Sequence, residues 1–84
     1  MAGLIVFGAD WCGDCRRSKR VLDESGLAYL YRDLEEEPGA AAEAEEISGR
    51  RSIPVVVFPD GHHLVEPSDD ELRADLRAAG LMTG

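Results

Sequence analysis

Cysteine is scarce in this chain of 84 residues: there are two, Cys12 and Cys15, with only two positions between them. A framework of structural disulfides is therefore excluded. Joining these two would close a very small loop and remove little unfolded-state entropy. A closed structural zinc site needs two further ligands. The only histidines, His62 and His63, are neighbours, and adjacent residues on a strand point to opposite faces, so no metal is expected. Long apolar runs are also missing. The N-terminal one, Leu4 to Phe7, spans four residues with no basic segment before it, which fits neither a secretory signal nor a membrane span. Basic side chains are few, 9 against 17 acidic ones, for a formal charge of −8. That argues against a general nucleic-acid footprint and in favour of solubility. Repeats, linkers and low-complexity tracts are absent, so residues 1–84 read as a single domain. Its modest core would bury about 60–65% of the surface exposed by the unfolded chain.

What the chain does have is Trp11-Cys12-Gly13-Asp14-Cys15, set between the run Leu4-Ile5-Val6-Phe7 and a charged helical stretch carrying Arg16, Arg17 and Lys19. A C-x-x-C at a helix N-terminus meets free backbone N–H groups and the positive end of the helix dipole, which favour thiolate over thiol. Such a dithiol is suited to thiol–disulfide exchange. Paired cysteines of this kind are expected in a reducing, cytoplasmic compartment. Six of the nine basic residues fall in two clusters, Arg16, Arg17, Lys19 and Arg20, and Arg50-Arg51. If both meet at the thiols, the active face is locally positive on an acidic body.

The continuously apolar Leu4 to Phe7 predicts a strand buried on both faces. A helix from about Asp14 to Ser25 follows, with Val21 and Leu22 inward and Gly26 at its end. Ala28 to Asp33 is a second strand, parallel to the first through a right-handed crossover. Tyr29 and Tyr31 share one of its faces. Glu37-Pro38 opens a second helix, with Ala40, Ala44 and Ile47 as inner stripe and Gly49 as terminator. Ile53 to Phe58 is a strand, Pro59-Asp60-Gly61 a turn, and His62 to Val65 a strand returning antiparallel. His62 and His63 are expected to be exposed. Ser68-Asp69-Asp70-Glu71 is a capping box for a last helix that buries Leu72, Leu76 and Ala79. The order β-α-β-α-β-β-α predicts an α/β sandwich with three helices on a four-stranded mixed sheet.

With C-x-x-C after the first strand and Ile53-Pro54 before the third, this order resembles the thioredoxin superfamily. The short length is similar to the glutaredoxin type. Trp11-Cys12-Gly13-x-Cys15-Arg16-Arg17-x-Lys19, Phe58-x-Asp60-Gly61 and Leu64-x-x-Pro67-Ser68 resemble the mycoredoxin-like subgroup of actinobacteria. The resemblance implies a glutaredoxin-type thiol–disulfide oxidoreductase with Cys12 as nucleophile and Cys15 as resolving thiol. It implies a cis Pro54, with the backbone of Ile53 offered to an extended substrate as an added strand. Base rates alone would leave Pro54 trans. Ser68 and Asp69 fall where the family holds the glutamyl end of glutathione, and Arg51 could take a carboxylate.

Two family elements of a glutathione site are missing. A lysine three residues before the first cysteine is replaced by Ala9, and a Gly-Gly before the last helix by Val65-Glu66. That tilts the expected co-substrate towards mycothiol over glutathione, with no bound cofactor. Asp14 stands where relatives commonly carry an aromatic residue. It suits the first helical turn but should repel the nearby thiolate; plain helix capping is the alternative. Trp11 is expected to pack and to rim the substrate groove. The expected partners are oxidised or thiol-capped proteins, the small thiol and a disulfide reductase, acting on a monomer. Two alternatives remain: an electron donor fed by thioredoxin reductase, and a dimer bridging an iron–sulfur cluster through Cys12.

Overall fold

The computed structural model describes residues 3–82. Seven elements follow one another: β1 Leu4–Gly8, α1 Gly13–Glu24, β2 Tyr29–Asp33, α2 Ala40–Ser48, β3 Val55–Val57, β4 His63–Val65 and α3 Asp69–Ala78. The sheet order is β2-β1-β3-β4. β1 and β2 are parallel, while β1–β3 and β3–β4 are antiparallel. The element order β-α-β-α-β-β-α and the mixed four-stranded sheet are those expected.

Both faces of the sheet are covered, which is why β1 is apolar without alternation. On one face Leu4, Val6, Val56 and Phe58 pack with Val21 and Leu22 of α1 and Leu72 and Leu76 of α3. On the other, Phe7 and Val55 pack with Ala40 and Ala44 of α2. Leu72 and Leu76 are fully buried, and each contributes about 1.5–3 kcal/mol by leaving water. Tyr29 and Tyr31 lean on the first cluster while Leu30, between them, is exposed. The capping box of α3 is complete: Ser68 Oγ accepts from Glu71 N, and Ser68 N donates to Glu71 Oε1.

Several expectations are corrected. Pro38 lies in the turns before α2, whose N-cap is Gly39 in the left-handed region. Those turns are held by Arg32, whose Nε donates to Glu37 and Nη2 to Glu43. Ile47 is exposed, because α2 meets the sheet through Ala40 and Ala44 and ends one residue later. Ala79 is the exposed C-cap of α3, not part of its buried face. β3 is only three residues long. Pro54 has no N–H for the ladder, and Phe58 N already donates to His62 O to close the hairpin. His62 precedes β4 and is not free in solvent. Its ring stacks on Phe58 at 4.2 Å between centroids, with Nδ1 2.5 Å from Asp60 Oδ1 and Nε2 3.3 Å from Asp75 Oδ2.

Candidate active site

Cys12 is the N-cap of α1, in an extended conformation. Its N–H donates to Ala9 O at 3.1 Å, folding the strand-to-helix connection into a tight turn. Its Sγ accepts the N–H of Cys15 at 3.2 Å. The sulfur thus takes the place of the oxygen of a conventional capping side chain, facing N–H groups that the helix cannot satisfy. Cys12 is half-buried, Cys15 is wholly buried, and both are free thiols. Burial chiefly, with the neighbouring Cys12 sulfur, pushes the Cys15 thiol up to about 12. One sulfur is therefore open to attack or to attacking, and the other holds its proton.

The Ile53-Pro54 peptide bond is cis, as the family resemblance implied. Ile53 O lies 3.9 Å from Cys12 Sγ, so the segment before β3 forms one wall at the thiol. Pro54 O accepts from Glu66 N at 2.9 Å, tying this wall to the connection between β4 and α3. Glu66 occupies the left-handed region at φ 49. Glycine enters that region without steric strain, and Val65-Glu66 is the pair that the sequence places where a Gly-Gly is missing.

Other sequence-predicted residues fall differently. Trp11 is 67% exposed; it borders Cys12 in sequence but packs on nothing in the core, which corrects the expectation of a packing residue. Asp14 and Asp69 are brought together by Arg17, which donates to Asp69 Oδ1 through Nε at 3.0 Å and pairs with Asp14 through Nη1 at 2.9 Å. The carboxylate expected to repel the thiolate therefore shares its charge with an arginine. Ser68 spends its hydroxyl on the capping box. Arg51 is 91% exposed and pairs loosely with Glu45 at 3.7 Å. It helps line a cleft of about 390 Å³ between α2 and residues 50–53, floored by Ala41, Ala44 and Ile53. The other basic cluster, Arg16, Lys19 and Arg20, lines a separate surface groove. The two clusters do not merge into one positive face. Among the described residues no group of acidic, histidine or cysteine side chains could hold a metal ion.

The sequence did not single out Gly8, and it placed Tyr31 only as one of two tyrosines on a strand face. A methyl group on Gly8 would stand 2.9 Å from Cys15 Sγ and 3.0 Å from Tyr31 Oη. The absent side chain lets the buried thiol and the phenol share the space above β1. The signal was present in the glycine that closes an apolar strand just before the motif, a position that calls for close approach. Arg17 was also overlooked as a bridge. Its spacing to Asp14 was readable as an i, i+3 pair, whereas Asp69 lies 52 residues further on.

Comparison with known proteins agrees with this geometry. Residues 4–64 match the family model described as Glutaredoxin. A Mycobacterium tuberculosis protein provisionally named a glutaredoxin is 38% identical over 76 residues, covering 89% of this chain and 90% of the relative. Mycoredoxin 1 of Corynebacterium glutamicum is 30% identical over 78 residues, covering 93% and 98%. The crystal structure of a glutaredoxin from Archaeoglobus fulgidus superposes with a TM-score of 0.81 at 26% identity, covering 92% and 88%. An N-capping thiol above a buried partner, on this sheet order and with these relatives, has one reading: the chain belongs to the glutaredoxin family and is a thiol–disulfide oxidoreductase.

Proposed function

We propose that this protein reduces mixed disulfides between proteins and a low-molecular-weight thiol of the mycothiol type. The Cys12 thiolate attacks the small thiol's sulfur, the bond to the protein sulfur breaks, and the released protein thiolate takes up a proton. Two routes then free Cys12. A second small thiol attacks the new mixed disulfide and leaves as a symmetric small-thiol disulfide. Alternatively Cys15 attacks Cys12 Sγ, giving the Cys12–Cys15 disulfide and releasing the small thiol. A disulfide reductase returns the small-thiol disulfide to two thiols, or the Cys12–Cys15 disulfide to the dithiol. The observation that carries this reading is the asymmetry of the sulfurs: Cys12 caps α1 and is accessible, while Cys15 is buried one turn further in.

The backbone of Ile53 beside Cys12 would hold the substrate in extended form, with Pro54 behind it. Trp11, by its exposure, would meet the incoming protein. Asp14 and Asp69, through Arg17, would border the small thiol, and Arg51 with Ser68 would lie further out. The preference for mycothiol rests on Ala9, wholly buried where a lysine would offer a carboxylate partner, and on the likeness to mycoredoxin 1. We take the protein to act as a monomer in the cytoplasm.

The test is parallel reduction of one protein carrying either a mycothiol or a glutathione cap, each coupled to its own disulfide reductase. A third arm contains thioredoxin reductase alone. Mycothiol should win by a few-fold, since one exposed charge pair is worth about 0.2–1 kcal/mol. Cys12→Ser should abolish turnover, and Cys15→Ser should retain it when small thiol is supplied. If glutathione wins, the thiol assignment is wrong. If only thioredoxin reductase supports turnover, the protein is a thioredoxin-like electron donor.

A further inference from the structure

Tyr31 and Tyr29 share one face of β2, yet their hydroxyls fare differently. Tyr29 Oη donates to Asp23 Oδ1 at 2.8 Å. Tyr31 Oη is buried and finds no hydrogen-bond partner among the described residues. Buried hydroxyls rarely stay unpaired in folded proteins, and those that do call for a reason. The register supplies the direction. Tyr31 stands opposite Val6 on the parallel neighbour β1, and Gly8 lies two residues on, on the same face. The long side chain reaches diagonally to Gly8, where Cys15 Sγ arrives from α1. Lys19 Nζ sits 4.0 Å from the ring centroid and holds the ring from the helix side. Nothing in the attack by Cys12 uses this phenol.

We infer that Tyr31 is the hydrogen-bond donor that stabilises Cys15 as a thiolate during intramolecular resolution. A neutral thiol is only a weak acceptor and draws the phenol little, and Tyr31 Oη is unpaired while Cys15 keeps its proton. Once the sulfur turns negative it becomes a strong acceptor, and the phenol that stands with it over Gly8 is the unpaired donor able to close on it. The inference rests on the reading of Cys15 as a resolving thiol. The step balances simply. Cys15 gives its proton to solvent, the Cys15–Cys12 sulfur bond forms, the bond from Cys12 to the small thiol breaks, and the departing thiolate is protonated in turn. Tyr31 donates a hydrogen bond throughout and keeps its proton. Its proton is held firmly, first by burial and then by the negative forms of Cys15, Asp10, Asp33 and Cys12 around it. Lys19 over the ring is the cationic group on the other side.

The experiment loads Cys12 of the full chain with thionitrobenzoate and follows release of the coloured thiol over a range of pH. Release without added thiol reports attack by Cys15. Release by excess 2-mercaptoethanol in the Cys15→Ser background reports external resolution. Tyr31→Phe should slow the intramolecular reaction about tenfold, the size of one hydrogen bond to a charged group. It should move the inflection of that reaction to higher pH and leave the external reaction unchanged. Equal slowing of both reactions would mean that the phenol only supports the fold, and overturns the inference. An unchanged intramolecular rate overturns it as well, while leaving Cys15 as the resolving thiol. If the unsubstituted chain releases nothing without added thiol, the resolving reading itself falls, and the inference with it.

Discussion

Replacing Gly8 by alanine adds one methyl group where β1 passes beneath the buried thiol. That methyl would meet Cys15 Sγ at 2.9 Å, Tyr31 Oη at 3.0 Å and Cys15 Cβ at 3.1 Å. Carbon contacts settle near 3.5–4.0 Å, so at least one neighbour must move. Cys15 is wholly buried on α1, in a core with little slack. Overpacking of this kind costs about 1–3 kcal/mol. Alanine in a strand recovers about 0.5–1 kcal/mol of the backbone entropy that glycine loses. The net loss should be roughly 1–2 kcal/mol, a fall in Tm of about 4–16 °C for a domain of this size. Thermal unfolding under reducing conditions measures it. The assignment of cause comes from double-mutant cycles. Cys15→Ala removes the 2.9 Å contact and should restore most of the lost stability, while Tyr31→Phe removes only the 3.0 Å contact and should restore less. A Gly8→Ala variant as stable as the parent would refute the argument from close approach. A loss that neither second substitution relieves would place the strain at Cys15 Cβ, 3.1 Å away, and refute the ranking of the contacts.

Two further predictions concern the connection after β4 and the β3–β4 hairpin. Glu66 holds φ 49, which costs a side-chain-bearing residue about 1–2 kcal/mol. Glu66→Gly should therefore raise Tm by a few degrees despite glycine's greater unfolded-state entropy, and a lowered Tm would show that the carboxylate contributes more than the strain takes away. His62 is raised above the usual imidazole range, first by its hydrogen bond to Asp60 and then by Asp75. A group raised in the folded state stabilises fully below its unfolded pKa of about 6.5 and loses that contribution as pH rises through the folded value. The chain should thus be more stable relative to His62→Asn at pH 6 than at pH 8.5. A stability difference that stays flat over that range would mean that His62 contributes through its stacking on Phe58 and not through its charge.

Much of the architecture was legible because its signals are local. Leu4 to Phe7 is apolar at every position, and a strand covered on both faces is the arrangement that needs this. The capping box from Ser68 to Glu71 lies within one helical turn, and the structure forms it as written. The errors cluster where spacing alone cannot say how wide a contact is. Ile47 continues the period of Ala40 and Ala44, but α2 is short and meets the sheet through its alanines, leaving the larger side chain outside. Pro38 suits a first helical turn, yet Gly39 in the left-handed region starts the helix later. The strand before the hairpin reads longer than it is because proline and the turn claim its ends.

At the active site the division is sharper. Cys12 and Cys15 are visible in the sequence because a two-residue spacing fixes them on one helical turn. The pressure on Cys15 is not, because Gly8, Tyr31 and Cys15 meet only through strand register. Asp14 shows the same limit. Alone at position 14 it is a negative charge in front of a thiolate, and repulsion follows. With Arg17 three residues on and Asp69 arriving from α3, the charge becomes one arm of an exposed three-membered bridge. Each exposed pair in it is worth about 0.2–1 kcal/mol. A bridge so weakly held can open for a ligand at little cost, which suits the role proposed for this surface, to hold α1 against α3 and to border the small thiol.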